Sequence, residues 1–174
     1  MSKYSDSWSE QNQDNFEYYY KSYKYGTYAQ VSPTDETKKT LKDIIKKVKP
    51  KNAIDDDDFH VTLVFSIGKG NPTLQPSNDV EYKAYADSFA LFGPNKDVLV
   101  IQLESEDLNS RHEYLLNSGF LRHSYQEYRP HITLGYEFDG KLPDKEKLLR
   151  KDSEKIELTF KGETIDSINP DFIQ

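Results

Sequence analysis

The feature that most constrains the fold of this chain is a pair of similar seven-residue segments. FHVTLVF spans residues 59–65 and PHITLGY spans residues 130–136, so the two lie 71 positions apart. Each is rich in apolar and β-branched residues, which favour strands. The chain has only four histidines, and each segment holds one of them two positions before a threonine. The sequence therefore predicts two strands that carry the same pair of polar side chains.

Side chains on a strand alternate between its two faces, and this alternation shows which residues act together. His60 and Thr62 share one face of the first strand, and His131 and Thr133 share the matching face of the second. The same alternation assigns the aromatic residue that ends each segment to the opposite face. We expect the two imidazoles and the two hydroxyls to converge on one site.

The order of elements predicted around the two segments is the same twice, as expected for an internal duplication. In the first half we predict a strand at 26–31, a helix capped by Ser32, and a closing strand at 80–93 beside the first His-containing strand. The second half repeats this order with a helix capped by Ser105 and a closing strand at 155–168. Pseudo-twofold packing of the halves brings the two His-containing strands together across a cleft.

Composition limits the class of protein. The 174 residues carry a net charge of −7 and include no cysteine, which excludes disulfides and thiolate zinc sites. We predict a polar, tyrosine-rich extension at 1–24 and one domain at 25–174. No apolar run reaches the roughly 20 residues of a membrane span, and the N-terminus lacks the apolar segment of a signal peptide. We therefore expect a cytoplasmic protein without a membrane partner.

The charge distribution argues against long nucleic acid as a partner. The most basic stretch, residues 38–51, alternates lysines with apolar residues at helical spacing, which is typical of the solvated side of an amphipathic helix. Binders of long nucleic acid usually carry a basic face, and this sequence offers none. A small anionic ligand is compatible with the net charge, because a local site can still be positive.

A metal centre is the main alternative use of paired histidines. Zinc sites on strands commonly combine histidines two positions apart, whereas each segment here has one histidine and no further ligand beside it. We therefore predict neither a metal nor a cofactor. His112 and His123 have no matching partner, and we assign them to the surface or to packing.

Two histidines that face one cleft suit general acid–base catalysis, because imidazole titrates near neutral pH. One imidazole accepts a proton while the other donates one. The threonine hydroxyls beside them are placed to donate hydrogen bonds to phosphate oxygens as charge develops there. The chemistry that fits is displacement at phosphorus by a ribose 2′-hydroxyl, with protonation of the departing 5′ oxygen.

The segments HVTL and HITL match the H-x-[ST]-hydrophobic pair of the 2H phosphoesterase superfamily. The resemblance covers roughly residues 25–168 and implies an α+β, bilobal fold: a duplicated β-α-β-β unit with two antiparallel-rich sheets flanking a central cleft. Within the superfamily, the tyrosine-rich first strand and the ending KGETIDSINPDF are similar to phage anti-CBASS phosphodiesterases. Those enzymes degrade cyclic di- and trinucleotide immune signals made by bacteria, which implies a small cyclic nucleotide as substrate.

The resemblance also implies roles for individual residues. The two His-x-Thr pairs correspond to the defining catalytic motifs. Tyr28 occupies the place of an aromatic residue that stacks on a base. Glu163 resembles a glutamate of the phage group that holds a histidine or a base edge. The phage group often has a tryptophan behind that glutamate, and here Tyr136 or Phe172 would take its place as a substrate contact.

Two other functions use the same residues differently. An RNA-end 2′,3′-cyclic phosphodiesterase, or a 2′-5′ oligoadenylate phosphodiesterase, would apply the same four residues to another substrate. A protein that binds a cyclic nucleotide without cutting it belongs to a different class. Binding alone requires no matched acid and base, so the paired motifs favour an enzyme.

Overall fold

The structure is a computed structural model that describes residues 23–125 and 127–169. Most of the predicted extension, and Phe172, lie outside the described residues. The described elements follow in this order: β1 (Gly26–Pro33), α1 (Asp35–Val48), β2 (Asn52–Ala53), β3 (Val61–Ile67), β4 (Tyr82–Phe92), β5 (Val98–Glu104), α2 (Glu106–Gly119), β6 (His131–Tyr136), α3 (Lys145–Leu148), β7 (Arg150–Lys151), β8 (Glu154–Lys155) and β9 (Glu157–Ser167). Strand, helix, His strand and closing strand therefore occur twice, as β1-α1-β3-β4 and β5-α2-β6-β9.

Seven strands form one antiparallel sheet in the order β2-β6-β5-β4-β9-β1-β3, and β7 and β8 form a separate small ribbon. The predicted α+β class, with a large antiparallel sheet and few helices, is confirmed. The strands that we assigned to two sheets are joined by hydrogen bonds, because β9 pairs with both β1 and β4. The two lobes are thus the two ends of a continuous sheet.

The closing strands are exchanged between the two repeats. The closing strand of the first repeat, β4, pairs with β5 of the second, and β9 of the second repeat pairs with β1 of the first. The predicted pairing of β4 with the first His strand is therefore wrong. A tight turn at residues 93–97, closed by the Lys96 amide on the Gly93 carbonyl at 3.0 Å, makes β4 and β5 a hairpin. Closing the short loop between β4 and β5 costs less conformational entropy than closing the longer loop between β3 and β4.

Each long helix begins at a polar cap that the local sequence supplies. Ser105 caps α2 as predicted, because its hydroxyl accepts from the Leu108 amide at 3.0 Å. The cap of α1 is Thr34 rather than Ser32, since β1 continues through Pro33 and the Thr34 hydroxyl accepts from the Thr37 amide. Apolar side chains of both helices join a single buried core with the sheet.

One face of the sheet packs against the helices, and the other lines an open cleft. On β1, Ala29 and Val31 are buried in the core with the helices, while the alternate residues line an open cleft. On β5, Leu99 and Ile101 are in the core in the same way, and their neighbours line the cleft. The period-two alternation of a strand thus separates a packing face from a functional face.

The free edge of β3 is covered by residues 120–125 and 127–128, which lie between α2 and β6. The Ser124 amide donates to the Phe65 carbonyl at 2.8 Å, and the Phe65 amide donates to Nδ1 of His123 at 3.2 Å. Buried His112 donates from Nδ1 to the Leu63 carbonyl at 2.6 Å and stacks on Tyr128. His112 is buried, in agreement with the packing role that we expected for it, whereas His123 packs on this edge and also lines the cleft.

The histidines of this edge make folding stability sensitive to acid. Burial, together with the charge of His112, lowers the pKa of His123 to about 4. Burial also lowers the pKa of His112, against the opposing effects of its hydrogen bond to the Leu63 carbonyl and of the Glu113 charge. The unfolded chain binds these protons near the ordinary value of about 6.5. The stabilisation is therefore complete above pH ~6.5 and is lost as the pH falls towards 4.

We predict that His123→Asn weakens this dependence, because an amide oxygen accepts from the Phe65 amide without titrating. Urea unfolding midpoints measured between pH 7.5 and 4.5 should fall less steeply for the variant than for the wild type. Ser124→Ala is the matched control: it removes a neighbouring bond to the Ile67 amide but no titrating group. Its midpoint should drop by a similar amount at every pH. Equal slopes for His123→Asn and the wild type would contradict the assignment.

Candidate active site

The two motif histidines lie at the starts of their strands and are held in the same way. His60 immediately precedes β3, and its Nδ1 lies 2.8 Å from the Asp58 carbonyl oxygen. His131 begins β6, and its Nδ1 lies 2.8 Å from the Arg129 carbonyl oxygen. A carbonyl only accepts, so Nδ1 carries the hydrogen in both rings. The Nε2 atom of each imidazole is left available for chemistry, in a shared tautomer set by the backbone.

Both histidines line one cleft of about 1470 Å³ between the two ends of the sheet. Thr62 lines the same cleft, and its hydroxyl oxygen lies 3.0 Å from the hydroxyl of Tyr28. Thr133 is half-buried and faces Val100 in the strand register, but it does not itself line the cleft. The structure therefore brings together three of the four motif side chains at the cleft surface, and Thr133 is not among the residues that line it.

Burial and neighbouring charge give His131 a distinct electrostatic environment. Burial lowers the pKa of His131, the hydrogen bond to the Arg129 carbonyl opposes this, and the positive charges of His60 and Arg129 lower the pKa further. Each effect has a separate physical origin, since desolvation and like charge both disfavour the imidazolium.

A bulge in each His strand turns the closing aromatic into the cleft. The register passes from Ala29–Val64 to Gln30–Thr62, which leaves Leu63 as an extra residue in β3. The same shift leaves Leu134 as an extra residue in β6. One extra residue reverses the alternation, so the prediction that the closing aromatics face away from the histidines is wrong.

These closing aromatics belong to the cleft wall. Phe65 contacts the Tyr28 ring at a centroid distance of 6.0 Å and the Tyr125 ring at 6.0 Å. Tyr136, predicted as a substrate contact, lines the cleft with 47% of its surface exposed. Tyr28, also predicted as a substrate contact, lines it beside Thr62. The bulges thus place aromatic side chains from both His strands around the two imidazoles.

Two residues next to His131, Phe92 and Arg129, were not predicted from the sequence. The Phe92 ring meets the His131 ring edge-on at a centroid distance of 4.7 Å. The Arg129 guanidinium lies 5.3 Å from the centre of the Phe92 ring and lines the cleft with it. Arg129 directly precedes the motif proline, which is the one local signal; Phe92 is brought in only by the β4–β5 hairpin.

Glu163 does not lie in the cleft, which corrects its prediction as a substrate contact. Its neighbours Thr164 and Asp166 pair with Gln30 and Tyr28, whose side chains point into the cleft, so Glu163 points to the helix face. The cause is a bulge at Gly162, whose φ of +68° shifts the register of β9 by one residue. Without that shift Glu163 would occupy the other face.

On the helix face Glu163 is the centre of a buried polar network. It is 1% exposed and accepts two bonds from Arg111 of α2, at 2.8 and 2.7 Å. The Ser77 amide donates to the carboxylate at 2.7 Å, and the Tyr82 hydroxyl donates to it at 3.2 Å. Burial and the carboxylate together raise the pKa of Tyr82 to about 12, which keeps that hydroxyl a donor. Glu163 therefore ties β9 to α2.

The described residues also bear on two other features, a metal site and a membrane-spanning helix. In residues 23–125 and 127–169, no group of three or more His, Cys, Asp or Glu side chains is arranged to hold a metal ion. Across the same part of the chain, no helix has the length and apolar character needed to span a membrane.

Comparison with known proteins places this geometry in a family. The sequence model of the family described as Anti-CBASS protein Acb1 matches residues 25–174. A protein of that description from Vibrio phage KVP40 is 30% identical over 112 residues, which are 64% of this chain and 73% of the relative. Another, from Yersinia phage phiR1-RT, is 26% identical over 118 residues, which are 64% and 71% of the two chains.

Solved structures share the fold at low sequence identity. E. coli LigT in complex with phosphate has a TM-score of 0.52 and 11% identity, covering 80% of this chain and 84% of LigT. The Thermus thermophilus protein TT0787 has a TM-score of 0.51 and 18% identity, covering 80% and 83%. This likeness supports the 2H phosphoesterase fold that the two motifs predicted.

The position of Glu163 leads to a prediction about stability. Glu163→Gln should lower the free energy of unfolding by about 3 kcal/mol, because Arg111 loses its charged partner in a largely buried place. Glu157→Gln is the matched control on the same strand. Glu157 pairs with Lys83 at 3.8 Å on the exposed surface, so its loss should cost no more than about 0.5 kcal/mol.

Chemical unfolding of the two variants and the wild type measures both values. If Glu163→Gln unfolded at the same denaturant concentration as the wild type, the structural role would be refuted. Equal losses in the two variants would contradict it as well, because the argument depends on burial.

Proposed function

The chain belongs to the Anti-CBASS protein Acb1 family, and on this basis we propose that it is a phosphodiesterase that opens cyclic di- and trinucleotide immune signals. The observation that carries the proposal is the matched presentation of two histidines, each with Nδ1 bonded to a carbonyl and Nε2 free, in one cleft. The biological role follows as removal of the signals with which an infected bacterium activates CBASS defence.

The proposed reaction uses the two imidazoles as base and acid. Burial keeps His131 largely neutral near pH 7, so its Nε2 accepts the proton of a ribose 2′-hydroxyl. The 2′ oxygen attacks the adjacent phosphorus, and the bond from phosphorus to the 5′ oxygen breaks. The Nε2 hydrogen of protonated His60 goes to that leaving oxygen. The immediate products are a 2′,3′-cyclic phosphate and a free 5′-hydroxyl.

Charge that develops on the phosphate oxygens requires hydrogen-bond donors nearby. The Thr62 hydroxyl is in the cleft and is the nearest candidate donor beside His60. Thr133 is proposed as a weaker contributor, because it does not line the cleft. In this scheme the two histidines supply all the proton transfers, so no metal is required.

The cleft is also suited to nucleotides. Phe65, Tyr125 and Tyr136 offer aromatic surfaces, and base stacking on such rings is typically worth about 1–3 kcal/mol per base. Arg129 and Lys96 bring positive charge into the cleft, which Asp57, Asp58 and Glu127 also line. A small cyclic nucleotide with two or three phosphates suits this aromatic cleft with its local positive charges, whereas the sequence offers no basic face for a long RNA.

A substrate panel tests the function directly. We predict that the protein opens cyclic di- or trinucleotides at 3′-5′ bonds in excess EDTA, with products resolved by chromatography. The panel includes 2′,3′-cyclic mononucleotides and 2′-5′ oligoadenylate, cleavage of which without cyclic dinucleotides would identify an RNA-end or oligoadenylate enzyme instead. Binding without any cleavage would identify a non-catalytic binder. Complete loss in EDTA, restored by a divalent ion, would refute the two-histidine scheme.

Substitution of the histidines separates chemistry from binding. His60→Ala and His131→Ala should each slow cleavage by about 10²–10⁴-fold, because each removes a proton-transfer group, while nucleotide binding persists. His112→Asn is the control on a histidine outside the cleft and should keep turnover near that of the wild type. A substrate with hydrogen in place of the attacking 2′-hydroxyl should resist cleavage at that linkage. Near-normal turnover of both alanine variants, or rapid cleavage of the 2′-deoxy substrate, would contradict the mechanism.

A further inference from the structure

The two halves of the cleft have the same backbone but different chemistry. The matching bulges align them residue by residue, since Ala29 faces Val64 as Leu99 faces Gly135. Three cleft-lining residues of β1 thereby correspond to three of β5: Tyr28, Gln30 and Ser32 to Val98, Val100 and Gln102. The strand beside Thr62 is polar throughout, whereas the strand beside Thr133 is mostly apolar.

The largest difference concerns the two motif threonines. The Tyr28 hydroxyl lies 3.0 Å from the Thr62 hydroxyl oxygen, whereas the residue that corresponds to Tyr28 is Val98, which has no polar group to offer Thr133. Thr62 is held from a second direction, because the Tyr128 hydroxyl donates to its carbonyl at 2.8 Å. The side chain of Thr133 has no hydrogen bond to any of the described residues. Only one of two equivalent threonines is thus fixed in place.

We propose that Tyr28 is a positioning residue that orients the Thr62 hydroxyl towards the reacting phosphate and so makes Thr62, rather than Thr133, the principal donor to the transition state. This inference rests on the proposed phosphodiesterase function and deepens it. It also gives Tyr28 a role that differs from stacking on a base, because the hydroxyl carries the effect and the ring does not.

The donors and acceptors that the two hydroxyls offer support this role. Either hydroxyl can donate in this contact, and in the direction that we infer the more acidic phenol of Tyr28 donates and the Thr62 oxygen accepts. The hydrogen of Thr62 then remains available for a phosphate oxygen in the cleft. A chain of two hydroxyls also polarises the second one, which strengthens its bond to an oxyanion. Burial raises the pKa of Tyr28, so it keeps this hydrogen under assay conditions.

The surroundings of Tyr28 fix its hydroxyl in this position. Its ring meets the His60 ring at a centroid distance of 6.4 Å and an interplanar angle of 69°, and the Phe65 ring at 6.0 Å and 81°. Both are edge-on contacts of the kind that aromatic pairs favour. Because the phenylalanine ring keeps these contacts, Tyr28→Phe removes the hydroxyl with little change to the packing.

A double-mutant cycle on turnover tests the proposal. Tyr28→Phe should lower kcat by about 10-fold with KM nearly unchanged, as expected when one hydrogen bond of a donor chain is lost. Thr62→Ala should lower kcat further, by about 10²–10³-fold, as for loss of an oxyanion donor. The Tyr28→Phe/Thr62→Ala double variant should be no slower than Thr62→Ala alone. Thr62→Ser, which keeps a hydroxyl, should retain most of the activity and its sensitivity to Tyr28→Phe.

Two comparisons make the cycle specific. Tyr28→Phe combined with Thr133→Ala should show effects that multiply, because the proposal links Tyr28 to Thr62 only. Tyr85→Phe is the matched control, since Tyr85 is an exposed tyrosine on β4 outside the cleft, and it should leave kcat unchanged. Thermal unfolding of each variant shows whether altered folding contributes to any loss.

The outcomes distinguish the proposal from its alternatives. Normal kcat in Tyr28→Phe, or a raised KM with normal kcat, would overturn it in favour of substrate stacking or contact. Effects of Tyr28→Phe and Thr62→Ala that multiply would also overturn it. A wild-type protein inactive on every nucleotide of the panel would refute the proposed function itself, whereas the ratios between variants and an active wild type test the positioning role alone.

Discussion

The arrangement of the cleft depends on a reciprocal interaction between the two repeats. The segment that leads from α1 to His60 pairs with β6, through β2 and through the Ile54 amide on the Leu134 carbonyl at 2.9 Å. The segment that leads from α2 to His131 pairs in turn with the edge of β3. Each histidine therefore follows a segment that is hydrogen-bonded to the His strand of the other repeat. These hydrogen bonds hold the two imidazoles relative to each other, and they cover part of the outer edges of β3 and β6.

Much of this organisation could be predicted because it depends on local patterns. The two His-x-Thr segments, the order of elements and the Ser105 cap follow from periodicity and capping, which act over a few residues. The α+β class was implied by the resemblance of the two motifs to those of the 2H phosphoesterases. The pairing of β4 could not be obtained in this way, because period-two alternation identifies a strand without identifying its neighbours. The exchange of closing strands between repeats is decided by the β4–β5 hairpin and by contacts across the whole chain.

The errors in the site have a common cause, which is the insertion of single residues into strands. The extra Leu63 and Leu134 bring Phe65 and Tyr136 into the cleft, and the bulge at Gly162 turns Glu163 to the opposite face. A one-residue change in register reverses every side chain beyond it, while the sequence of the strand still looks regular. Gly162 carries a signal, since a glycine inside a strand often marks a bulge. Nothing comparable marks Leu63 or Leu134.

The exchange of closing strands has a consequence for how the protein is made. The lobe that carries His60 contains β1 and β3 from the first repeat, but its third strand is β9, the last of the described strands along the chain. Neither repeat holds a complete lobe of its own, so the nascent chain cannot finish one half before the other. Pairing of strands so distant along the chain closes late and slowly. Both halves of the cleft therefore form together, and only once β9 has been synthesised.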